Sequence, residues 1–154
     1  MTVLFSSLLH RLVAGRGFAA GFTSPFAISI YGGVKPSAAQ ILANWTSYNN
    51  SAGTDFLAHY VGAVWTHPGG TETIHLTPPA AANSLNTGIG TWCILWTSNV
   101  TQIAAVGGII PNTQFIVADV SNFGGTGIIR FTDVNFTVGT SKAILSGAIT
   151  VANI

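Results

Sequence analysis

The sequence predicts a mainly β fold, either an antiparallel sandwich or a jelly-roll-like barrel, with a short N-terminal amphipathic helix. Two observations predict it. Short apolar runs rich in β-branched and aromatic residues recur along the chain, separated by Gly, Asn and Pro. Residues 128–138 also come close to strict alternation of apolar and polar side chains, the period of a strand with one buried face. The 154 residues fit a single domain, residues 1–154, that is long enough for a real hydrophobic core.

The N-terminal helix is predicted for residues 4–14, where apolar side chains recur at helical spacing and Gly15 follows as a C-cap. No positive side chain precedes this segment, so we expect it to belong to the mature protein rather than to a secretion signal. A second apolar patch follows at residues 18–22. We expect the apolar residues of these two segments to form an interface with neighbouring proteins: Phe5, Leu8, Leu9, Leu12, Phe18 and Phe22.

Beyond Pro25 the apolar pattern changes to that of strands. Residues 27–31 (AISIY) predict a strand, and residues 40–48 a further one. Residues 56–66 are compatible with a strand or a helical turn. Residues 71–76 (TETIHL) alternate, which predicts a strand with one face toward solvent.

The C-terminal half of the chain shows the clearest strand patterns. Residues 78–90 predict a loop, and the GGTG sequence at 124–127 predicts a turn. The pattern of residues 128–138 slips once, at Thr132 and Asp133, which suggests a β-bulge. Four strands are predicted in this half, at residues 91–97, 114–120, 128–138 and 143–151.

Charge is scarce: 6% of residues are charged, against about 25% in a typical soluble domain. A free monomer of this composition should be poorly soluble, because charge keeps proteins apart. The apolar stretches are too short and too often interrupted for a membrane-spanning helix. The net charge is +1 and the cations are scattered, so nucleic-acid binding lacks its electrostatic footprint. Burial of the surface against protein partners is the better interpretation.

No pattern of catalytic residues stands out. The four acidic residues lie on four different predicted elements: Asp55, Glu72, Asp119 and Asp133. A pair of catalytic carboxylates would need long-range convergence. The serine-rich composition leaves a Ser-His-Asp triad open, but the Gly-x-Ser-x-Gly nucleophile elbow is missing. We expect no enzyme activity, no catalytic residues and no cofactor.

The histidines and Glu72 could in principle bind zinc, since His59, His67 and His75 fall within 17 residues. Their spacing of eight residues lacks the short, fixed intervals of strong zinc motifs, and we expect surface or turn histidines and no metal. The single cysteine, Cys93, lies in an apolar run and is expected to be buried and inert.

The tryptophans offer a binding surface as an alternative. Trp92 and Trp96 have an even spacing on one predicted strand, so both should point to the same side of the sheet. Such a pair could form a sugar-binding face together with Trp45 and Trp65. Packing in a core is the favoured interpretation, because aromatic side chains dominate cores.

Two segments resemble a family of small virion structural proteins of tailed bacteriophages. Residues 28–39 (ISIYGGVKPSAA) are similar to the family pattern Ile-x-Ile-Tyr-x-Gly-x-x-Pro-x-x-Ala, and residues 90–96 (GTWCILW) resemble its Gly-Thr-Trp strand. The order of an N-terminal helix, these two segments and a closing strand pair is also similar. The resemblance implies a structural role and carries over no catalytic residues.

The sequence thus predicts a non-enzymatic structural component located in the virion: a tail, baseplate, neck or capsid-decoration protein. Its expected partners are other virion proteins and copies of itself, with no nucleic acid and no membrane span. The alternative is a module on a fibre that binds glycans or another component of the host surface. A small hydrolase is a third hypothesis, which would need Asp55 or Glu72 to converge with two histidines.

Overall fold

The computed structural model describes residues 4–5, 26–43, 55–66, 73–96 and 115–150. Within these ranges the protein is mainly β, as the sequence predicts. The elements, in chain order, are β1 (Leu4–Phe5), β2 (Phe26–Tyr31), α1 (Ala38–Ala43), β3 (Phe56–Thr66), β4 (Thr73–Thr77), β5 (Ala82–Asn83), β6 (Gly88–Ile89), β7 (Trp92–Trp96), β8 (Phe115–Asn122), β9 (Ile129–Phe131), β10 (Asn135–Phe136), β11 (Ser141–Lys142) and β12 (Ser146–Thr150).

Seven of these strands close into a barrel in the order β2-β3-β4-β12-β9-β8-β7, with β7 hydrogen-bonded back to β2. The neighbours are antiparallel except for β8 and β9, which run parallel, with Val120 opposite Ile129. Closure gives each of these seven strands a hydrogen-bonded neighbour strand on both sides. The structure is therefore a closed seven-stranded barrel, and its antiparallel order is broken by one parallel contact.

The central strands β2 and β7 are buried on both faces. Ile28 and Ile30 point into the barrel interior. Ala27 and Tyr31 point outward and form a second apolar cluster with Ile41 of α1. Burial on both faces explains why these two strands have continuous apolar sequences rather than alternating ones. In contrast, β4 alternates between buried and exposed residues, which confirms the prediction that one of its faces meets solvent.

The long strand β3 resolves the ambiguity of residues 56–66 in favour of a strand. Its first part pairs with β2, and its last three residues pair with β4. The register with β2 shifts between Phe26 and Ile28, and Gly62 has a φ of 81° in the left-handed region, where glycine is favoured. This irregular stretch lets one strand contribute to two neighbouring ladders of a curved wall.

Two N-terminal predictions need correction. Leu4 and Phe5, the start of the predicted helix, form a strand that pairs with β8. The rest of that segment lies outside the described residues. Residues 40–43, predicted as strand, belong to α1, and residues 44–48 lie outside the described part of the chain.

A capping box explains why α1 is a helix. The backbone N–H of Ser37 donates to Gln40 Oε1 at 2.8 Å, and the Gln40 N–H donates to Ser37 Oγ at 3.1 Å. Ala38 and Ala39, both strong helix formers, lie between them. The Ser-x-x-Gln spacing was the sequence signal that the strand prediction overlooked.

The predicted bulge at Thr132 and Asp133 is also wrong, because the strand ends there. β9 stops at Phe131 and pairs with β8 and β12, whereas β10 starts at Asn135 and pairs with β6. The slip in alternation marks a change of partner. The predicted loop of residues 78–90 likewise contains the short strands β5 and β6.

We predict that Gly90→Ala destabilises the protein by about 1–3 kcal/mol, the usual cost of overpacking a core. A Cβ at this position would lie 2.8 Å from Phe136 Cε2 and 3.3 Å from Ile30 Cγ2, both in buried side chains. Urea unfolding measures the change. Because Phe136→Leu removes the clashing ring atom, the double variant should lose less stability than the sum of the two single variants. Strict additivity would contradict this packing.

Candidate functional site

Several connections of the barrel meet at one end, which we call the capped end and define as residues 32–37, 82–91, 122–127 and 132–142. β2 and β8 finish there, and their antiparallel neighbours β3 and β7 begin there. The parallel strand β9 leads the chain toward the same end. Loops that meet at one end of a rigid scaffold are where binding residues concentrate.

Two small ladders, β5 with β11 and β6 with β10, form the cap. The cap is hydrogen-bonded to the barrel: the Leu85 N–H donates to the Leu57 carbonyl at 2.8 Å, and Asn86 Nδ2 donates to the Phe56 carbonyl at 2.8 Å. Phe136 is buried with the barrel-interior cluster. The cap is therefore packed into the core.

Residues 28–39 and 90–96 meet at the base of this end. Tyr31 and Trp92 lie opposite each other on β2 and β7, and their rings stack with centroids 4.2 Å apart. Trp92 Nε1 donates to the Gly32 carbonyl at 2.8 Å, and Thr91 Oγ1 donates to the Gly33 carbonyl at 2.6 Å. These residues thus form one structural joint between neighbouring strands.

The loop that follows β2 is held in place on several sides. Gly33 has a φ of 71° in the left-handed region, and the Gly32 N–H donates to the Asp55 carbonyl at 2.8 Å. Lys35 forms an ion pair with Asp119 on β8, reaching across β7. Val34, between these anchors, is 92% exposed. The loop therefore presents an apolar side chain from a constrained backbone.

Val34 belongs to a group of exposed apolar side chains at the capped end, which we call the apolar rim. In the described part of the chain, seven large apolar residues are exposed, and five of them lie at this end. The other two are Val61, which lies on β3, and Leu145, which precedes β12 and donates its N–H to the Arg130 carbonyl of β9. The members of the apolar rim are Val34, Leu85, Ile89, Phe123 and Val138.

Lys142 and Asp133 cover the outer edge of β10. Lys142 Nζ contacts Asp133 Oδ1 at 3.1 Å and donates to the Asn135 carbonyl, and it lies 4.9 Å from the centroid of the Phe136 ring. The Asn135 N–H donates to Asp133 Oδ1 at 2.8 Å. Both backbone groups of Asn135 are thus taken by side chains, which blocks this edge against a further strand. The hydrogen bond from Lys142 lowers the pKa of Asp133 below its ordinary value.

The structure separates the predicted metal ligands that it describes. His59 is half-buried in β3, and His75 is exposed on β4. His67 and Glu72 lie outside the described residues. Across the described ranges, no group of three or more His, Cys, Asp or Glu side chains is placed to hold a metal ion.

Ser29 and His59 form a serine–histidine pair that sequence reasoning did not single out. They lie opposite each other on β2 and β3, with Ser29 Oγ 3.0 Å from His59 Nδ1. Ser29 is fully buried, and its Oγ also accepts a hydrogen bond from Trp96 Nε1 at 2.8 Å. The oxygen is therefore covered by its neighbours, and the pair links β2 to β3. Only the strand register, with 30 residues between the partners, brings them together.

The tryptophans Trp92 and Trp96 point to the same side of β7, as predicted, and both are buried in the outer apolar cluster. Trp65 is half-buried and stacks on Phe26 with ring centroids 5.3 Å apart. Trp45 lies outside the described residues. The prediction that Trp92 and Trp96 pack in a core is confirmed. The prediction that Cys93 is buried is also confirmed, and this burial raises the pKa of its thiol.

The predicted N-terminal interface is described only at Phe5, which forms part of β1. Leu8, Leu9, Leu12, Phe18 and Phe22 lie outside the described residues. None of the helices in the described part of the chain is long and apolar enough to cross a membrane. The apolar rim was not predicted, because its members are isolated residues in loops and short strands.

We predict that Trp92→Phe costs about 1–3 kcal/mol, because it keeps a ring against Tyr31 but removes the N–H bonded to the Gly32 carbonyl in a buried site. Urea unfolding measures the loss. Thr91→Val serves as the control, since it removes a more exposed hydrogen bond to the adjacent Gly33 and should cost less. An equal or larger loss of stability in Thr91→Val would contradict a stabilising role for the indole hydrogen bond.

The lowered pKa of Asp133 predicts a pH-dependent contribution of the cap to stability. The ion pair with Lys142 stabilises the fold above the ordinary carboxyl pKa of about 4 and is lost as the pH falls through the lower folded value. The melting temperature of wild type should exceed that of Asp133→Asn at pH 7, and the difference should shrink below about pH 4. A difference that is constant from pH 7 to pH 2 would contradict a role for the carboxylate charge.

Compared with known proteins, the chain matches no protein-family model, no curated protein and no solved structure.

Proposed function

We propose that this protein is a non-enzymatic structural component of a tailed-phage virion, in the tail, baseplate or neck or as a capsid decoration. It acts through protein–protein interfaces with other virion proteins and with copies of itself. The observation that carries the proposal is the apolar rim: five exposed apolar side chains gathered at one end of a closed barrel in a chain with 6% charged residues.

The constrained backbone of the capped end supports an interface. Val34 lies in a loop tied to Asp55 before β3, to Thr91 before β7 and to Asp119 on β8, and Ile89 lies in the β6–β10 ladder. Because the backbone is already held, little backbone conformational entropy is lost when a partner covers these side chains, so more of their burial contributes to binding. Clusters of exposed apolar side chains on a soluble domain commonly mark interaction sites.

The chemistry of the charged residues also favours a partner with little charge. Lys35 is paired with Asp119, and Lys142 with Asp133, within the chain. The apolar rim can therefore meet an uncharged surface without leaving these charges buried alone, which would be costly. Another copy of this chain has a surface of this kind, since its composition is the same.

The placement in a phage virion rests on the resemblance of residues 28–39 and 90–96. These two segments are hydrogen-bonded neighbours on β2 and β7. The resemblance therefore falls on one structural unit instead of two unrelated stretches, which supports the proposal.

A glycan-binding module on a fibre is the second candidate. Phe123 is 72% exposed at the start of the β8–β9 connection, next to the exposed Asn122. An exposed ring beside an amide can stack on a sugar and hydrogen-bond its hydroxyl groups. Loss of binding to immobilised glycans on Phe123→Ala, in a protein that remains monomeric, would favour this candidate.

The interface proposal is tested by light scattering of the purified chain, whose monomer mass is 15.9 kDa. We expect an oligomer, and we expect Ile89→Glu to weaken its association at least tenfold, because a buried unpaired carboxylate costs more than about 1.4 kcal/mol. Val61→Glu is the matched control: it makes the same type of change at an exposed apolar residue on the barrel wall. A wild-type protein that stays monomeric at high concentration would overturn the proposal, as would equal effects of the two variants.

A further inference from the structure

The two edges of β8 are occupied differently. One edge pairs with β7 from Phe115 to Asp119. On the other edge, β9 pairs only with Val120 to Asn122, and β1 pairs with Ile116 and Val117. Because β9 has three residues, it closes the barrel over the second half of β8 and leaves the first half to the strand from the N-terminus.

This first half of β8 needs a partner strand. Residues 115–118 are fully buried, and buried backbone N–H and C=O groups are costly when they lack hydrogen bonds. An open strand edge also readily pairs with another chain. The strand that fills the position is short: Leu4 lies opposite Val117, and Phe5 lies opposite Ile116.

A long segment of the chain separates β1 from the first strand of the barrel. Twenty residues, 6–25, separate β1 from β2. A chain of this length can reach roughly 60 Å when extended, whereas a domain of this size has a radius of gyration of about 15 Å. The tether is therefore long enough for β1 to reach the same edge on an adjacent copy.

We propose that β1 is exchanged between copies in the assembly, so that residues 4–5 of one copy complete the edge of β8 at residues 116–117 of another. The same backbone pairing forms whether β1 belongs to the same chain or to its neighbour. In an assembly, neighbouring copies bring further β1 strands to high local concentration, so the exchanged arrangement can compete with the intramolecular one. This inference rests on the proposed function, because it requires that copies of the chain contact one another.

Disulfide trapping across the β1–β8 pair tests the exchange. Opposed residues of an antiparallel pair have Cα atoms about 4.5–5.5 Å apart, within the range that a disulfide can bridge. One protein carries Leu4→Cys and a second carries Val117→Cys, both in a Cys93→Ala background. The two are refolded together, oxidised, and separated by denaturing electrophoresis without reductant. If Cys93→Ala does not fold, the native Cys93 is kept, since it is buried.

Exchange predicts a covalent dimer in the mixture, whose linkage between residues 4 and 117 is identified by mass spectrometry of the joined peptides. The control replaces Val117→Cys with His75→Cys, an exposed position on β4, which should give no such linkage. The Leu4→Cys/Val117→Cys double variant should give covalent dimers or longer species when copies exchange β1.

A purely intramolecular disulfide in the double variant, with no dimer in the mixture, would overturn the exchange. The lack of any disulfide between residues 4 and 117 would overturn it as well. If wild type is still oligomeric by light scattering in either case, the proposed function stands and only the exchange is wrong. If wild type is monomeric, the proposed function fails first.

Discussion

The short parallel contact between β8 and β9 is the constraint on which the rest of the structure depends. Three opposed residue pairs, from Val120 with Ile129 to Asn122 with Phe131, close the barrel and seal its apolar interior. The parallel direction also leads the chain toward the capped end, where β10 joins β6. Because the contact is so short, it leaves the first half of β8 to β1. The closure of the core, the course of the chain to the cap and the position of β1 thus follow from one pairing.

A second consequence of closure is the burial of β2 and β7 on both faces. Inside, their side chains fill the barrel, and outside, Tyr31 and Trp92 stack below the capped end. Residues 28–39 and 90–96 meet at this position, where an indole N–H and a threonine hydroxyl donate to two glycine carbonyls. The proposed interface lies directly beyond this joint. A rigid base of this kind suits a surface that must meet its partner in a single orientation.

Two ion pairs of the described residues hold segments of the capped end in place. Lys35 and Asp119 tie the loop after β2 to β8, and Lys142 and Asp133 cover the edge of β10. Charges used for internal pairing do little to repel other molecules. The scarcity of charge noted in the sequence and the pairing seen in the structure therefore lead to the same physical expectation, a protein that associates with others.

By itself, the sequence determined the fold class, most of the barrel strands and the burial of Trp92, Trp96 and Cys93, because period and composition report how much of each strand is buried. The barrel, the parallel β8–β9 contact and the Ser29–His59 pair were decided only by tertiary structure, since each depends on which distant strands lie side by side. The apolar rim was likewise decided only by tertiary structure. Its five residues are far apart in sequence, and only the convergence of four connecting segments brings them to one end of the barrel.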